Sequence, residues 1–412
     1  MTTTVIVGAS IGGVRTAQAL RSEGYQGQLV LIGAEHELPY DKPQLSKALL
    51  AGSIDRAAVS LLSAEGAAAA GITMLLGRPA QRLDRQAREV VLADGERVGY
   101  DTLVIATGSS PRPTPFPSPD GTHLLRTLAD AQALREDLLD AGPVVIVGAG
   151  FIGSEVAATA RSLGCQVTLV DPLPMPMGRL VGPELGALFG RLQARNGVHT
   201  CFGVGVRAIE GRSGDLRVSL TDGAVLKAGT VLIGIGARPN DGWLASSGIA
   251  TQDGVLCDQC CRASAPDVYA VGDVARWWHP RHGRHVRAEH WTNAVEQAGC
   301  VAHNITHPHD PRSYAPVEYI WSDQYDWKIQ FAGVRPEPAT GEFVGDPSAE
   351  PQHFATLFDN ARGELTGAVT VNWPRGMLTV RRLLAGPCST SEARSQLEGL
   401  RSRSAAKREL AP

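Results

Sequence analysis

Gly148, Gly150 and Gly153 stand in the run VVIVGAGFIGSEV, and Gly8, Ser10 and Gly13 hold the matching places in TVIVGASIGGV. Small residues at this spacing, between an apolar strand and a helix, let a backbone close around a pyrophosphate. The first allows a tight turn, the second lets the chain approach the phosphates, and the third lets helix and strand pack closely. The helix N-terminus adds free N–H groups and the positive end of its dipole. Ser10 in place of the middle glycine is a mild departure, since serine is small and its hydroxyl can donate to phosphate. Each run leads to a carboxylate placed to accept hydrogen bonds from a ribose, Glu35 in the first copy and Asp171 in the second. One such motif is often only a tight strand-to-helix turn. Two of them, each with strand, helix and acid in register, make two dinucleotide sites the reading.

The elements that must position these residues repeat as well. Segments 4–35 and 144–171 share one plan of apolar strand, glycine turn, helix, second apolar strand and acid. The runs VIV, LVLI, VVIV and VTLV are short and continuously apolar, as buried parallel strands should be. Val156, Ala157, Ala160 and Leu163 recur at helical spacing before Gly164 ends the run. YDTLVIATGS reads as a strand ending in a turn at Thr107 and Gly108 that leaves the first domain, and TVLIGIGARPN, with Gly236, leaves the second. DVYAVGDVAR then returns to the first domain and delivers Gly272 and Asp273 at a turn, where the Asp273 carboxylate can bond the ribityl hydroxyls of a flavin. Two dinucleotide sites in one enzyme fit a resident flavin and a visiting nicotinamide, because hydride passes from the second to the first.

Composition narrows the class. At 412 residues, 43% hydrophobic and 20% charged, the chain can bury more than one core. A net charge of -3 lacks the broad basic excess of a general nucleic-acid or membrane-surface binder. The sequence runs straight into its first strand without a basic leader and has no apolar span of about 20 residues, so a cytoplasmic location is expected. Seven cysteines scattered from Cys165 to Cys388 suit a reducing compartment. Cys257, Cys260 and Cys261 contain a C-x-x-C spacing without a second pair to complete a metal set, and GVLCDQCCRAS reads as a hairpin with structural thiols. The stretch 277–291 gathers Arg281, Arg284 and Arg287 with His279, His282 and His285. It is either a solvated loop or a docking surface for an acidic electron carrier. A metal site is less favoured there because arginines intervene. Thr292 is placed to cap a helix Asn293–Ile305, whose N-terminus would suit the pyrimidine edge of a flavin.

On VGASIGG, LPYDKPQLSK, ATGSSPRP, VGAGFIGSEVAATARSLGCQVTLVD, GIGARPN, VYAVGDVA, EHWTNAVEQA and WSDQYDWKIQFAG, the chain resembles the NADH-dependent ferredoxin reductases that serve bacterial ring-hydroxylating dioxygenases and haem-thiolate monooxygenases. The likeness spans about residues 3–386. The glycine turns mark only the wider superfamily, whereas PYDKPQLSK and the two tryptophan-bearing segments point to this branch. The resemblance implies an α/β protein with two Rossmann-like dinucleotide-binding domains plus a mixed α+β C-terminal domain. The FAD-binding domain would be 1–110 with 236–314, the NAD-binding domain 111–235, and the C-terminal domain 315–412. It implies FAD and NADH as cofactors, no metal, and a ferredoxin as one-electron acceptor for a chain that is a monomer or weak homodimer. Nucleic acid and membrane are not expected partners.

Carried over residue by residue, Glu35 resembles the FAD ribose ligand and Asp273 the ribityl ligand. Thr107, Gly108 and Gly236 line the cradles, and Trp291 and Trp321 flank the flavin region. Lys47 matches a side chain beside the flavin ring, and Glu155 the residue that meets the nicotinamide end and pairs with Lys47; these two carry the catalytic assignment. On residue type alone, Lys47 and Glu155 could equally be a solvated pair and Trp321 an ordinary core aromatic. Disulfide and peroxide reductases of this superfamily place reactive cysteines in the segment that here reads HELPYDKPQLSKALLAG, which has none, so a thiol mechanism lacks its nucleophile. Gln44 stands where a second proline is common, and Asp171 where glutamate is. Asp171 disfavours a 2′-phosphate by charge, and Pro172, Leu173 and Pro174 supply no arginine to bind one, so NADH is expected over NADPH. Arg179 is the one basic group close enough in sequence to oppose this. An NADH oxidase or a redox-sensing flavoprotein on the same fold are the rival functions. The tail beyond Leu384 is expected to be a frayed helix or disordered.

Overall fold

Short apolar runs next to glycine turns bury on both faces, and in the computed structural model they form two parallel sheets of one plan. The structure describes residues 2–140, 142–336, 341–349 and 352–409; the side chains of Arg179, the basic group nearest Asp171 in sequence, and of 403–409 lie outside that description. The first sheet runs in the order Val268–Ala270, Thr102–Ile105, Thr3–Val7, Gln28–Ile32, Ile72–Leu75. The second runs His199–Phe202, Val167–Asp171, Val144–Val147, Thr230–Ile233, Thr122–His123. Every pairing in both is parallel. In each sheet the strand feeding the glycine turn is central. The next strands extend to one side and a later strand returns on the other. The order therefore reverses at the carboxyl end of the central strand, where crevices for ligands open in such sheets. Val5, Ile6, Leu31, Val104, Ile146, Leu169 and Leu232 are all fully buried, as strands covered on both faces require.

Packing divides the chain into two compact units. One comprises 1–44, 54–112 and 237–316; the other comprises 45–53, 113–236 and 317–412. The first unit adds to its parallel sheet an antiparallel sheet of Ala80–Asp84, Glu89–Leu92 and Arg97–Gly99. The second adds the meander Val206–Arg212, Asp215–Leu220, Val225–Ala228. It also holds a five-stranded antiparallel sheet ordered Tyr319–Gln324, Trp327–Gly333, Leu365–Val371, Phe354–Asp359, Glu342–Val344. Helices Pro374–Leu384 and Thr390–Glu409 cover that sheet through Met377, Val380, Ala393 and Leu397. The α/β reading holds, with an antiparallel C-terminal sheet in addition to the two parallel ones.

Several local expectations are corrected. The helix placed at Asn293–Ile305 is Trp291–Thr306, and its N-cap is His290 in extended conformation rather than Thr292. The Asn293 amide donates back to the Ala288 carbonyl at 3.1 Å, which fixes the earlier start. GVLCDQCCRAS is not a hairpin ladder. Val255–Cys257 pairs in parallel with Ala275–His279, its own return is reduced to the single bridge Cys257–Ala263, and Arg262 bridges onward to Tyr269. The Asp258 carboxylate accepts from the N–H groups of Cys260 and Arg262, closing the turn, and the strand finds its ladder partner in Ala275–His279 instead of in the returning chain. The tail is helical from Thr390 to Glu409, and residues 410–412 lie outside the described residues. No described helix is long and apolar enough to cross a membrane.

Candidate active site

The glycine turns are built so that side chains are excluded at their outer positions. A Cβ on Gly8 would stand 2.0 Å from the Ala106 carbonyl oxygen, and one on Gly148 would stand 2.2 Å from that of Gly234. Both residues also have positive φ, 122° and 105°. A Cβ on Gly13 would lie 1.8 Å from the Gly8 oxygen, and one on Gly153 would lie 1.9 Å from the Gly148 oxygen. At the middle positions the constraint vanishes, since a Cβ on Gly150 would meet nothing within 4 Å. The helices that follow, Ile11–Ser22 and Phe151–Ser162, start from Ser10 and Gly150 without a side-chain cap or an acid in the first turn. Helix Leu128–Leu139 contrasts with them, because Thr127 and Asp130 close a capping box on it. Two helix N-termini therefore start without a side-chain cap, and over Gly150 the space is open, which is what a pyrophosphate needs.

The acids at the ends of the second strands are held differently. Glu35 accepts from the Tyr40 hydroxyl and, at 3.0 Å, from the Lys42 ammonium. Asp171 accepts from backbone, the N–H of Ala149 at 2.7 Å and of Leu173 at 2.8 Å, so its carboxylate is fixed against its own glycine turn. Thr107 and Gly108 are stitched to Asn240: the Thr107 hydroxyl donates to the Asn240 carbonyl, the Asn240 amide to the Thr107 carbonyl, and the Asn240 N–H to the Gly108 carbonyl. Asp273 lies in the turn Gly272–Val274 and accepts from the Ser109 hydroxyl at 2.8 Å. Trp291 opens its helix and donates its indole N–H to Asp41 at 2.7 Å, tying EHW to PYDK. Gly236 has φ 103°, a left-handed conformation that favours glycine where the chain leaves the second sheet.

Lys47 and Glu155 meet in the second unit, although Lys47 comes from a segment whose flanks belong to the first. The Thr159 hydroxyl donates to the Ser46 carbonyl and Arg135 donates to that of Leu50, which fastens 45–53 to helices of the second unit. The Lys47 ammonium lies 2.6 Å from Glu155 Oε2, with side-chain exposures of 16% and 6%, so the solvated-pair alternative is ruled out. Ser46 donates to the same oxygen at 2.6 Å and Ser322 to Oε1 at 2.7 Å. Ser322 in turn accepts from Gln324, Gln324 from Gln193, and Gln193 from the Tyr325 hydroxyl, at 3.1, 3.1 and 2.8 Å. Every donor in this chain points toward Glu155, and burial pushes the Tyr325 phenol up, keeping its proton in place. Trp321, beside Ser322 on the strand, is half-buried and stacks on Tyr319.

Residue-type reasoning missed the groups that hold the named ones. Ser46, Ser322, Asn240, Tyr40 and Lys42 are short or common polar residues, and only adjacency to Lys47, Trp321 and Gly108 could have drawn attention to some of them. The basic stretch proves less free than its composition suggested. Arg287 is paired with Asp253 and Glu289, and His279 is fully buried, its ring tilted against those of Trp277 and His282. All seven cysteines are free thiols; burial pushes those of Cys257 and Cys260 up, and the hydrogen bond with Cys300, with burial behind it, pushes that of Cys261 up, away from the nucleophilic thiolate.

Comparison with known proteins agrees with this geometry. Residues 2–298 match the family described as Pyridine nucleotide-disulphide oxidoreductase, and residues 319–397 match the Reductase C-terminal family. The chain is 37% identical over 383 residues to the ferredoxin–NAD(+) reductase component of the anthranilate 1,2-dioxygenase system of Burkholderia cepacia, covering 92% of this chain and 93% of that one. The ferredoxin reductase for the CYP199A2 system from Rhodopseudomonas palustris superposes with a TM-score of 0.92 at 32% identity, over 98% of this chain and 100% of its own. The covalent putidaredoxin reductase–putidaredoxin complex gives 0.88 at 31%, over 93% of each chain.

Proposed function

Because the chain belongs to the pyridine nucleotide-disulphide oxidoreductase family, in the branch of the ferredoxin–NAD(+) reductases, we propose that it is an FAD-dependent enzyme that oxidises NADH and reduces a ferredoxin serving an oxygenase. The observation that carries this is the pair of uncapped glycine cradles of like geometry in one polypeptide. FAD, bound in the first cradle, supplies the redox chemistry, taking up a hydride and releasing its electrons one at a time. Gly8, Ser10 and Gly13 admit its pyrophosphate, Glu35 takes its ribose, and Asp273, steadied by Ser109, takes its ribityl hydroxyls. Thr107, Gly108 and Trp291 border the same cradle. Gly148, Gly150, Gly153 and Gly236 do the same for NADH, whose ribose falls to Asp171. In domain terms, the FAD-binding part is 1–110 with 236–314, the NAD-binding part 111–235, and the remainder from 315 the C-terminal part.

Lys47 and Glu155 are the assigned catalytic pair, and Trp321 their aromatic neighbour. The donors on Glu155 lock its carboxylate in one orientation, and Lys47 provides a cation suited to stabilising charge on a reduced ring. Their part is orientation and electrostatics, since hydride transfer needs no acid or base. The seven free thiols fit a cytoplasmic setting.

The test is an anaerobic titration. The purified protein is expected to be yellow, to bleach with one equivalent of NADH, and then to reduce a two-iron ferredoxin in single-electron steps. Colourless protein that FAD cannot reconstitute would overturn the proposal. Equal turnover with oxygen alone would move the assignment to an NADH oxidase.

A further inference from the structure

A group of side chains outside this machinery gathers where two helices end. Helix Ile11–Ser22 finishes at Glu23, and helix Trp291–Thr306 at His307. The two run parallel: Gly12 neighbours Ala294 at one end, and Glu23 meets His303 and His307 at the other. Glu23 Oε2 lies 3.6 Å from His303 Nδ1 and 3.7 Å from His307 Nδ1, and the three atoms all lie within 4.8 Å of one another. The imidazoles, one helical turn apart, stack with centroids separated by 4.4 Å and planes inclined by 11°.

His303 carries the argument. It is 3% exposed, and its Nε2 lies 2.9 Å from the Asp310 carbonyl oxygen, which can only accept. In the neutral ring the proton therefore sits on Nε2, and Nδ1 presents a lone pair. That Nδ1 is buried and has no hydrogen-bond partner. A lone pair facing a carboxylate across 3.6 Å is an uncompensated arrangement, and a cation between the two removes the conflict. A histidine whose far N–H is held by a backbone carbonyl is also how metal-binding imidazoles are oriented. The negative ends of two helix dipoles converge on the same point and favour positive charge there.

The geometry points to a divalent-cation site of the zinc and nickel class formed by Glu23, His303 and His307 and completed by water. Nitrogen and oxygen ligands about 2.0–2.2 Å from a tetrahedral ion stand roughly 3.3–3.6 Å apart. The two separations from Glu23 are already close to that. The exposed His307 ring closes the rest by giving up its 2.9 Å contact between Nδ1 and the Thr306 hydroxyl.

The experiment titrates metal-stripped, flavin-loaded protein with zinc chloride against a chromophoric chelator, for the wild type, Glu23→Gln and His307→Ala. Both substitutions sit at the surface, outside the proposed active site. The wild type is expected to take up one more zinc equivalent than His307→Ala and to bind it about tenfold or more tightly than Glu23→Gln. NADH turnover is expected to be equal in all three. Anomalous scattering at the zinc edge from a zinc-soaked crystal is expected to show a peak among the three side chains. Identical stoichiometry and affinity in the three proteins, or a crystal with no peak there, would reduce the trio to a proton-held ion pair and overturn the proposal.

Discussion

The two glycine turns agree at their ends and differ in the middle. Gly8 and Gly148, and then Gly13 and Gly153, would each drive a Cβ into a backbone carbonyl of the protein itself. These four are required by the fold whether or not anything is bound. Gly150 would meet nothing with a side chain, and its counterpart is Ser10. The middle place is thus constrained by what comes to lie over it. The acids differ in the same spirit: Glu35 is held by side chains, Asp171 by the backbone of its own turn.

This contrast can be broken at several points. The largest effects belong to the outer glycines. Gly8→Val is expected to yield protein without flavin, read as visible absorbance per chain, while Gly148→Val keeps its colour and loses on the order of 100-fold in kcat/KM for NADH. Loss of flavin from both, in protein whose circular dichroism matches the wild type, would mean that the two turns do not serve separate ligands. Lys47→Ala comes next. It leaves the Glu155 carboxylate buried with hydroxyl donors only, at a cost of about 3 kcal/mol, and should slow stopped-flow reduction by NADH with flavin content unchanged. An unaltered rate would remove Lys47 from the site. Asp171→Asn should lower the NADH-over-NADPH ratio of kcat/KM by about tenfold, since it deletes the charge that opposes a 2′-phosphate. The smallest effects are expected at the middle places. Ser10→Gly and Gly150→Ser should each change stability by no more than about 0.5 kcal/mol in thermal melts. Gly150→Ser should still raise KM for NADH a few-fold, which would separate a ligand's demand from the fold's.

Much of the plan was legible because it rests on local rules. Continuous apolar runs gave the parallel strands, and Gly164, with φ 88°, does end the helix that Val156, Ala157 and Ala160 bury. What sequence could not reach depends on distant partners. Lys47 and Glu155 read equally well as a surface pair, and only the packing of 45–53 under Thr159 and Arg135 buries them. Cys257 read as one arm of a hairpin; its ladder partner is Trp277, in parallel, and the returning chain reaches it only through a single bridge from Ala263. Within the basic stretch, composition could not show that Arg287 pairs with Asp253, far from it in sequence, while Arg281 and Arg284 stay exposed.

The alternation of the chain between its two units bears on how it is made. The strand Val268–Ala270 completes the first sheet by pairing with Thr102–Ile105, yet the whole of 113–236 is synthesised between them. On the ribosome the Thr102–Ile105 edge stays unpaired and apolar while 113–236 emerges, and an open edge of that kind invites strand exchange with another nascent chain. Neither unit can be obtained by shortening the gene from one end, so a fragment lacking everything after 236 is expected to aggregate rather than fold as a smaller enzyme.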